Sequence, residues 1–158
     1  MKLFLQLWIG ADAYLMEASR VVRVLPLVEM KSIPRAPAGV VGTFNYRGTA
    51  VPVVDLNELT LGRPAAHYRS TRLILVPLEP EPAEGSGKHL LGVIAERVTD
   101  TVRCDPGNFM PAGVDGEASY LGPVVSHDGR LLQWVDVRKL LPQAVRVALF
   151  RDLGEAAA

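Results

Sequence analysis

The chain has 158 residues, 49% of them hydrophobic and 22% charged, with 17 basic against 17 acidic side chains. That length and apolar content suit one ordinary domain with a buried core rather than a disordered chain. The zero formal charge argues against nucleic acid, which rewards a basic face. A single cysteine, Cys104, excludes an intramolecular disulfide or a cysteine-based metal cluster and points to a reducing compartment.

Residues 3–9 alternate Phe4, Gln6 and Trp8 against Leu3, Leu5, Leu7 and Ile9, a strand pattern with one face buried. With Ala11-Asp12-Ala13 the start also mimics a short signal peptide, but its apolar run is brief and broken by Gln6. No stretch reaches the roughly 18 apolar residues of a membrane span. Gly10-Ala11-Asp12 predicts a turn and residues 13–16 a second strand, so the chain opens with a hairpin. Residues 17–20 read as a loop or single helical turn, and 21–25 as a strand ended by Pro26.

The most informative stretch is Ile33–Leu59. After Pro34, Pro37 and Gly39, the run Val40-Val41-Gly42-Thr43-Phe44 meets a polar knuckle, Asn45-Tyr46-Arg47-Gly48, then Val51-Pro52-Val53-Val54. Two β-rich runs around a Gly-bearing knuckle predict a hairpin, with Gly48 supplying positive φ and Pro52 at an edge or bulge. Asp55, with Glu58 three residues later, has the form of a capping box that starts a short helix over 56–61, stopped by Gly62 and Pro64.

Beyond a polar loop at 65–70, residues 72–78 predict a buried strand and 80–88, rich in Pro, Glu and Gly, a hairpin loop. Residues 90–101 form the return strand, with Leu91, Val93 and Ala95 on one face and Leu90, Gly92 and Ile94 on the other. Residues 105–120 read as irregular. A last hairpin, 120–125 and 131–135, turns at Asp128-Gly129, and a short helix over 137–141 ends at Pro142. Val53-Val54-Asp55-Leu56 with Leu59 recurs as Trp134-Val135-Asp136-Val137 with Leu140. Each copy ends a hairpin and opens a helix, which implies two similar halves. Many short strands with almost no long helix predict an all-β protein of two small barrels sharing a core.

Catalytic chemistry finds little support. His67, His89 and His127 fall in separate loops without metal-ligand spacing. Gly85-Ser86-Gly87-Lys88 lacks the earlier glycine and the following Ser or Thr of a phosphate loop. No Gly-x-Ser-x-Gly elbow is present, Cys104 has no histidine near it in sequence, and Asp55 and Asp136 sit where helix caps belong. No catalytic residue, metal or cofactor is expected. A binding surface remains, with Arg47 foremost because its guanidinium forks toward carboxylates or carbonyls. An ion pair to Glu29 or Glu17, or a contact tying the halves together, explains Arg47 equally well from the residues alone. Val21, Val24 and Val41 flank the hairpin as core or as groove lining.

The order Gly42, Asn45, Arg47-Gly48, Val51-Pro52-Val53, Asp55-Leu56 resembles the signature of the CheW family, adaptors of bacterial chemosensory arrays. Supporting matches run from Phe4 to Leu141, including Leu91–Val98 and Gly129–Leu141. The resemblance implies two five-stranded SH3-like barrels within one domain over residues 1–145; the remaining tail, 146–158, reads from its residues as a short helix that then frays. The resemblance also implies a non-catalytic cytoplasmic adaptor that binds the cytoplasmic tip of a methyl-accepting chemoreceptor and the regulatory domain of a CheA-type histidine kinase. Asn45, Arg47, Gly48, Val21, Arg23, Val24, Val41 and Gly42 are then the partner-binding candidates. Where the family commonly carries an acid, this chain has Arg23, a charge reversal that suits a specialised system. Weak self-association through edge strands stays open. The competing readings are a barrel module for nucleic acid or a small ligand, and a receptor-only array spacer.

Overall fold

The computed structural model describes residues 1–78, 89–142, 144–146 and 148. Nine strands carry the fold: β1 (Lys2–Ile9), β2 (Asp12–Glu17), β3 (Arg23–Pro26), β4 (Val40–Tyr46), β5 (Thr49–Asp55), β6 (Arg72–Pro77), β7 (Leu90–Cys104), β8 (Leu121–His127) and β9 (Arg130–Val135). A short α-helix, α1 (Leu56–Leu61), follows β5, and single 3-10 turns occupy Ala18–Arg20, Pro106–Asn108 and Val137–Lys139.

These strands make two five-stranded barrels that share β7. In the central barrel β3 pairs with β6, β6 with Leu90–Ala95 of β7, and Gly92–Ile94 of β7 runs parallel to β5, which pairs with β4. A bridge between Lys31 and Thr43 joins the segment after β3 to β4 and closes the ring. In the terminal barrel, Glu96–Cys104 of β7 pairs with β1, β1 with β2, β2 runs parallel to β9, and β9 pairs with β8. The bridge Met110–Val124 closes it in the same way. The two barrels are permuted copies, since the N-terminal hairpin fills in one barrel the places that β6 and β7 fill in the other.

Three apolar clusters follow from this arrangement. Phe44, Val51, Val53, Leu73, Leu75 and Ile94 fill the central barrel, and Phe4, Leu15, Val102, Val125 and Leu132 the terminal one. Between them lies a shared core that includes Leu7, Met16, Leu56, Ile74, Val93, Val135 and Leu140. The alternation of β7 serves both: Leu91, Val93 and Ala95 face the shared core, while Leu90 and Ile94 pack with the central barrel.

The repeated Asp motif is realised twice. Asp55 caps α1 by accepting from the N–H groups of Asn57 (2.9 Å) and Glu58 (3.2 Å) and also takes the Ala65 N–H at 2.9 Å. Asp136 accepts from Arg138 N–H at 3.0 Å. Their own N–H groups donate to Gly39 and Tyr120 carbonyls respectively. The expected capping box at Asp55 is therefore only half formed, because the Asp55 N–H is spent on Gly39 rather than on Glu58.

Other boundaries shift for local reasons. The strand expected from Val21 starts at Arg23, since the Val21 N–H closes the preceding 3-10 turn on Ala18; Val22 still donates to Leu75. The helix expected over 137–141 is one 3-10 turn ahead of Pro142, which cannot continue it. The segment 105–120, expected to be irregular, contributes the barrel-closing Met110. Residues 144–146 are helical, whereas the predicted loop at 80–88 and most of the predicted tail lie outside the described residues.

Candidate functional site

The β4–β5 hairpin projects from the central barrel, and its tip is set by residue chemistry. Arg47 (φ 52°) and Gly48 (φ 86°) both take positive φ, as a two-residue type I′ turn demands. Asn45 supports the turn by accepting the Gly48 N–H on its side-chain oxygen at 2.8 Å. Asn45, Arg47 and Gly48 are all exposed. The Arg47 guanidinium lies 5.2 Å from the centre of the Tyr46 ring. Among the described residues it has no carboxylate partner; Glu17, one of the two acids expected for it, pairs instead with Lys2 at 2.7 Å. The tip thus presents a cation held over an aromatic ring, with its hydrogen-bonding fork turned to solvent.

Gly42 belongs to the same signature for a different reason. It is buried, and a Cβ there would sit 2.5 Å from the Lys31 carbonyl oxygen. That carbonyl accepts from Thr43 N–H (2.9 Å) while Lys31 N–H donates to Thr43 (2.8 Å). Gly42 therefore admits the strand that closes the barrel. Beside it, a cleft of about 650 Å³ separates segment 29–31 from the hairpin, lined by Glu29, Met30, Lys31, Asn45, Gly48 and Ala50.

The remaining candidates divide. Val21 is half-buried against the shared core and Val41 half-buried against the central barrel. Val24 and Arg23 are exposed on β3. In register, Val24 pairs with Ile74 of the shared core and so projects on the side between the barrels, whereas Arg23 pairs with Leu75. Val22, which the sequence reading passed over, is 52% exposed on the same side as Val24, at 41%. Its period-2 spacing from Val24 was the available signal.

Elsewhere the site chemistry is structural. Cys104 lies inside the terminal barrel, where burial pushes its thiol pKa up. No three His, Cys, Asp or Glu side chains converge among the described residues in a way that could hold a metal, and no described helix is long and apolar enough to cross a membrane.

Comparison with known proteins agrees with this geometry. The family model for the CheW-like domain matches residues 4–145. Chemotaxis protein CheW of Rhizobium meliloti (strain 1021) is 28% identical over 119 residues, 73% of this chain and 72% of that protein. Protein FrzA of Myxococcus xanthus is 27% identical over 138 residues, covering 85% and 81% of the two chains. Among solved structures, the scaffolding protein TtCheW from Thermoanaerobacter tengcongensis superposes with a TM-score of 0.76 at 19% identity, over 89% of this chain and 88% of that one. By signature, by two-barrel topology and by the extent of these matches, the chain belongs to the CheW-like domain family.

Proposed function

We propose that the chain is a non-catalytic cytoplasmic adaptor that couples a chemoreceptor's cytoplasmic tip to the regulatory domain of a CheA-type histidine kinase. The observation that carries this reading is the signature hairpin itself. Its type I′ turn holds Arg47 outward with no carboxylate partner among the described residues, and β3 of the same barrel exposes Val22 and Val24 on the side between the barrels. An exposed apolar pair and an outward guanidinium on one barrel suit a helical hairpin with an apolar face and carboxylates or carbonyls at its rim. Two weak contacts made at once raise the local concentration of kinase at the receptor, and a shift in one contact energy changes the other.

Arg23 places a cation on β3 where the family commonly has an acid, and this favours a dedicated chemosensory system with its own receptor. The test is a titration of the purified chain with receptor tip and kinase domain, separately and together. Arg47→Ala is expected to weaken receptor binding by at least about tenfold while leaving the kinase domain bound. Binding to the receptor alone assigns the spacer role instead, and binding to neither removes the proposal. Arg23→Glu with unchanged affinity for cognate and foreign receptors would sink the specialisation.

A further inference from the structure

Where β7 passes from one barrel to the other, the pairing with β1 slips between Gln6–Asp100 and Trp8–Glu96. Arg97 occupies that slip at φ 51°, a conformation that costs an L side chain and that persists in proteins where the surroundings impose it, often at functional sites. Two aromatic rings hold its guanidinium, Trp8 at 5.6 Å and Tyr68 at 5.2 Å from their centres. Neither Arg97 nor Arg63 has a carboxylate partner among the described residues.

The two arginines border a cleft of about 530 Å³ between the β1–β2 turn and the loop after α1. Its floor is polar and tightly fixed. Asn57 is 1% exposed, and its Nδ2 donates to Glu96 Oε1 at 2.7 Å, the same oxygen that accepts the Ala66 N–H at 2.8 Å. That bond fixes which way the amide faces and leaves Asn57 Oδ1 a buried acceptor without a donor. Such an atom calls for a ligand group or a water. A water would satisfy Oδ1 but would leave the strained, ring-clamped Arg97 and the second arginine unexplained.

We propose that this cleft binds a small zwitterion, a free α-amino acid, with its carboxylate toward Arg63 and Arg97 and its ammonium group against the Glu96 carboxylate that Asn57 holds in place. The two guanidinium groups suit a carboxylate by charge and donor count, and the floor offers only acceptors, so neither half of the ligand fits the other's place. The volume falls in the range of small-molecule sites. The inference does not rest on the adaptor reading, and receptor or kinase titrations do not bear on it.

The experiment titrates the full chain with a panel of free L-amino acids, and with acetate and methylamine as the two separate halves, by calorimetry and by NMR. Saturable binding of one or more amino acids is expected, with each half far weaker. Arg63→Gln and Arg97→Gly should each weaken it by at least roughly tenfold. The midpoint of thermal unfolding of Arg97→Gly should stay close to the parent's, because relief of the positive φ offsets the loss of the two ring contacts, so lost affinity cannot be ascribed to lost folding. The proposal is overturned if no amino acid saturates up to roughly 10 mM, if both variants bind unchanged, or if acetate binds as tightly as the amino acids.

Discussion

Gly42→Ala is the substitution whose cost the structure fixes best. The added Cβ would meet the Lys31 carbonyl oxygen at 2.5 Å and its carbon at 3.3 Å, both backbone atoms that no rotamer change can move. Relief requires segment 29–31 to retreat, which breaks the reciprocal Lys31–Thr43 hydrogen bonds of 2.8 and 2.9 Å. Two net backbone hydrogen bonds at about 1 kcal/mol each and an overpacking strain of about 1–3 kcal/mol sum to roughly 3–5 kcal/mol. For a domain of this size that lowers Tm by about 10 °C. Gly48→Ala supplies the contrast: φ is +86° but nothing lies within 4 Å of the new Cβ, so only the left-handed conformation is penalised, by about 1–2 kcal/mol. Gly92→Ala meets Leu73 Cδ1 at 2.9 Å and Val53 Cγ2 at 3.1 Å, side-chain ends that can give, and should fall between the two. Urea denaturation of the three variants, with midpoints at equal slope, measures the order. If Gly42→Ala costs no more than Gly48→Ala, the Lys31 strand does not close the barrel as described.

The two Asp motifs separate by the number of backbone N–H groups they satisfy, since the other two bonds of Asp136 come from the exposed Arg138 side chain, which water can serve instead. Asp55→Ala strands three, in a site only 4% exposed, and should cost about 3–5 kcal/mol, whereas Asp136→Ala strands one and should cost about 1 kcal/mol; calorimetric unfolding reads both. Acid sensitivity has a defined sign at Asp136, where burial alone would raise the carboxyl pKa but the side-chain and backbone hydrogen bonds from Arg138 outweigh it and hold the value below the ordinary one. A depressed folded pKa contributes stability that is full above the ordinary aspartate value of about 3.9 and is lost as pH falls through the folded value. The stability gap between the parent and Asp136→Asn should therefore close below about pH 4, and a gap that persists there refutes the assignment. Glu17 behaves alike: burial raises it, the hydrogen bonds from Lys2 and Ser19 lower it further, and Lys2→Met should shrink its share of the acid limb.

Local chemistry was legible in the sequence and long-range closure was not. Asn45 with Gly48, and Asp128 with Gly129, announce their turns because a two-residue hairpin loop needs positive φ and a short side chain to support it. Asp55 and Asp136 announce helix starts for the same local reason. The barrel-closing residues Lys31 and Met110 pair through a single bridge each, which leaves no periodicity to read. Their one trace is at Gly42, where the lack of a side chain records the approach of a strand eleven residues upstream in the chain. Arg97 was invisible for the opposite reason, since a left-handed position is anticipated from glycine or asparagine, and an arginine there is held by Trp8 and Tyr68 from distant parts of the chain.

The permuted pairing also bears on how an adaptor of this fold carries a signal. Were the halves two independent barrels in series, a partner docked on one could move without disturbing the other. Here β7 runs 15 residues through both, with Leu90–Ala95 bonded to β6 and Glu96–Cys104 bonded to β1, and its inward residues Leu91, Val93 and Ala95 lie in the core that both barrels share. The N-terminal hairpin completes the barrel whose remaining strands come from the end of the chain, so the terminal barrel closes only by joining the two ends of the sequence, whereas the central one is built from residues 23–95 in order. Close-packed interiors transmit small displacements rather than absorb them. The β4–β5 hairpin is joined to β7 by the parallel Val53–Asp55 ladder, and β7 continues into the terminal barrel as one covalent strand. Where that strand crosses between the barrels, its pairing slips at Arg97. Arg97→Gly therefore tests the coupling as well as the cleft: each partner's separate affinity should be kept, while the enhancement of one by the other falls. An unchanged enhancement would place the coupling in the shared core instead of in the strand.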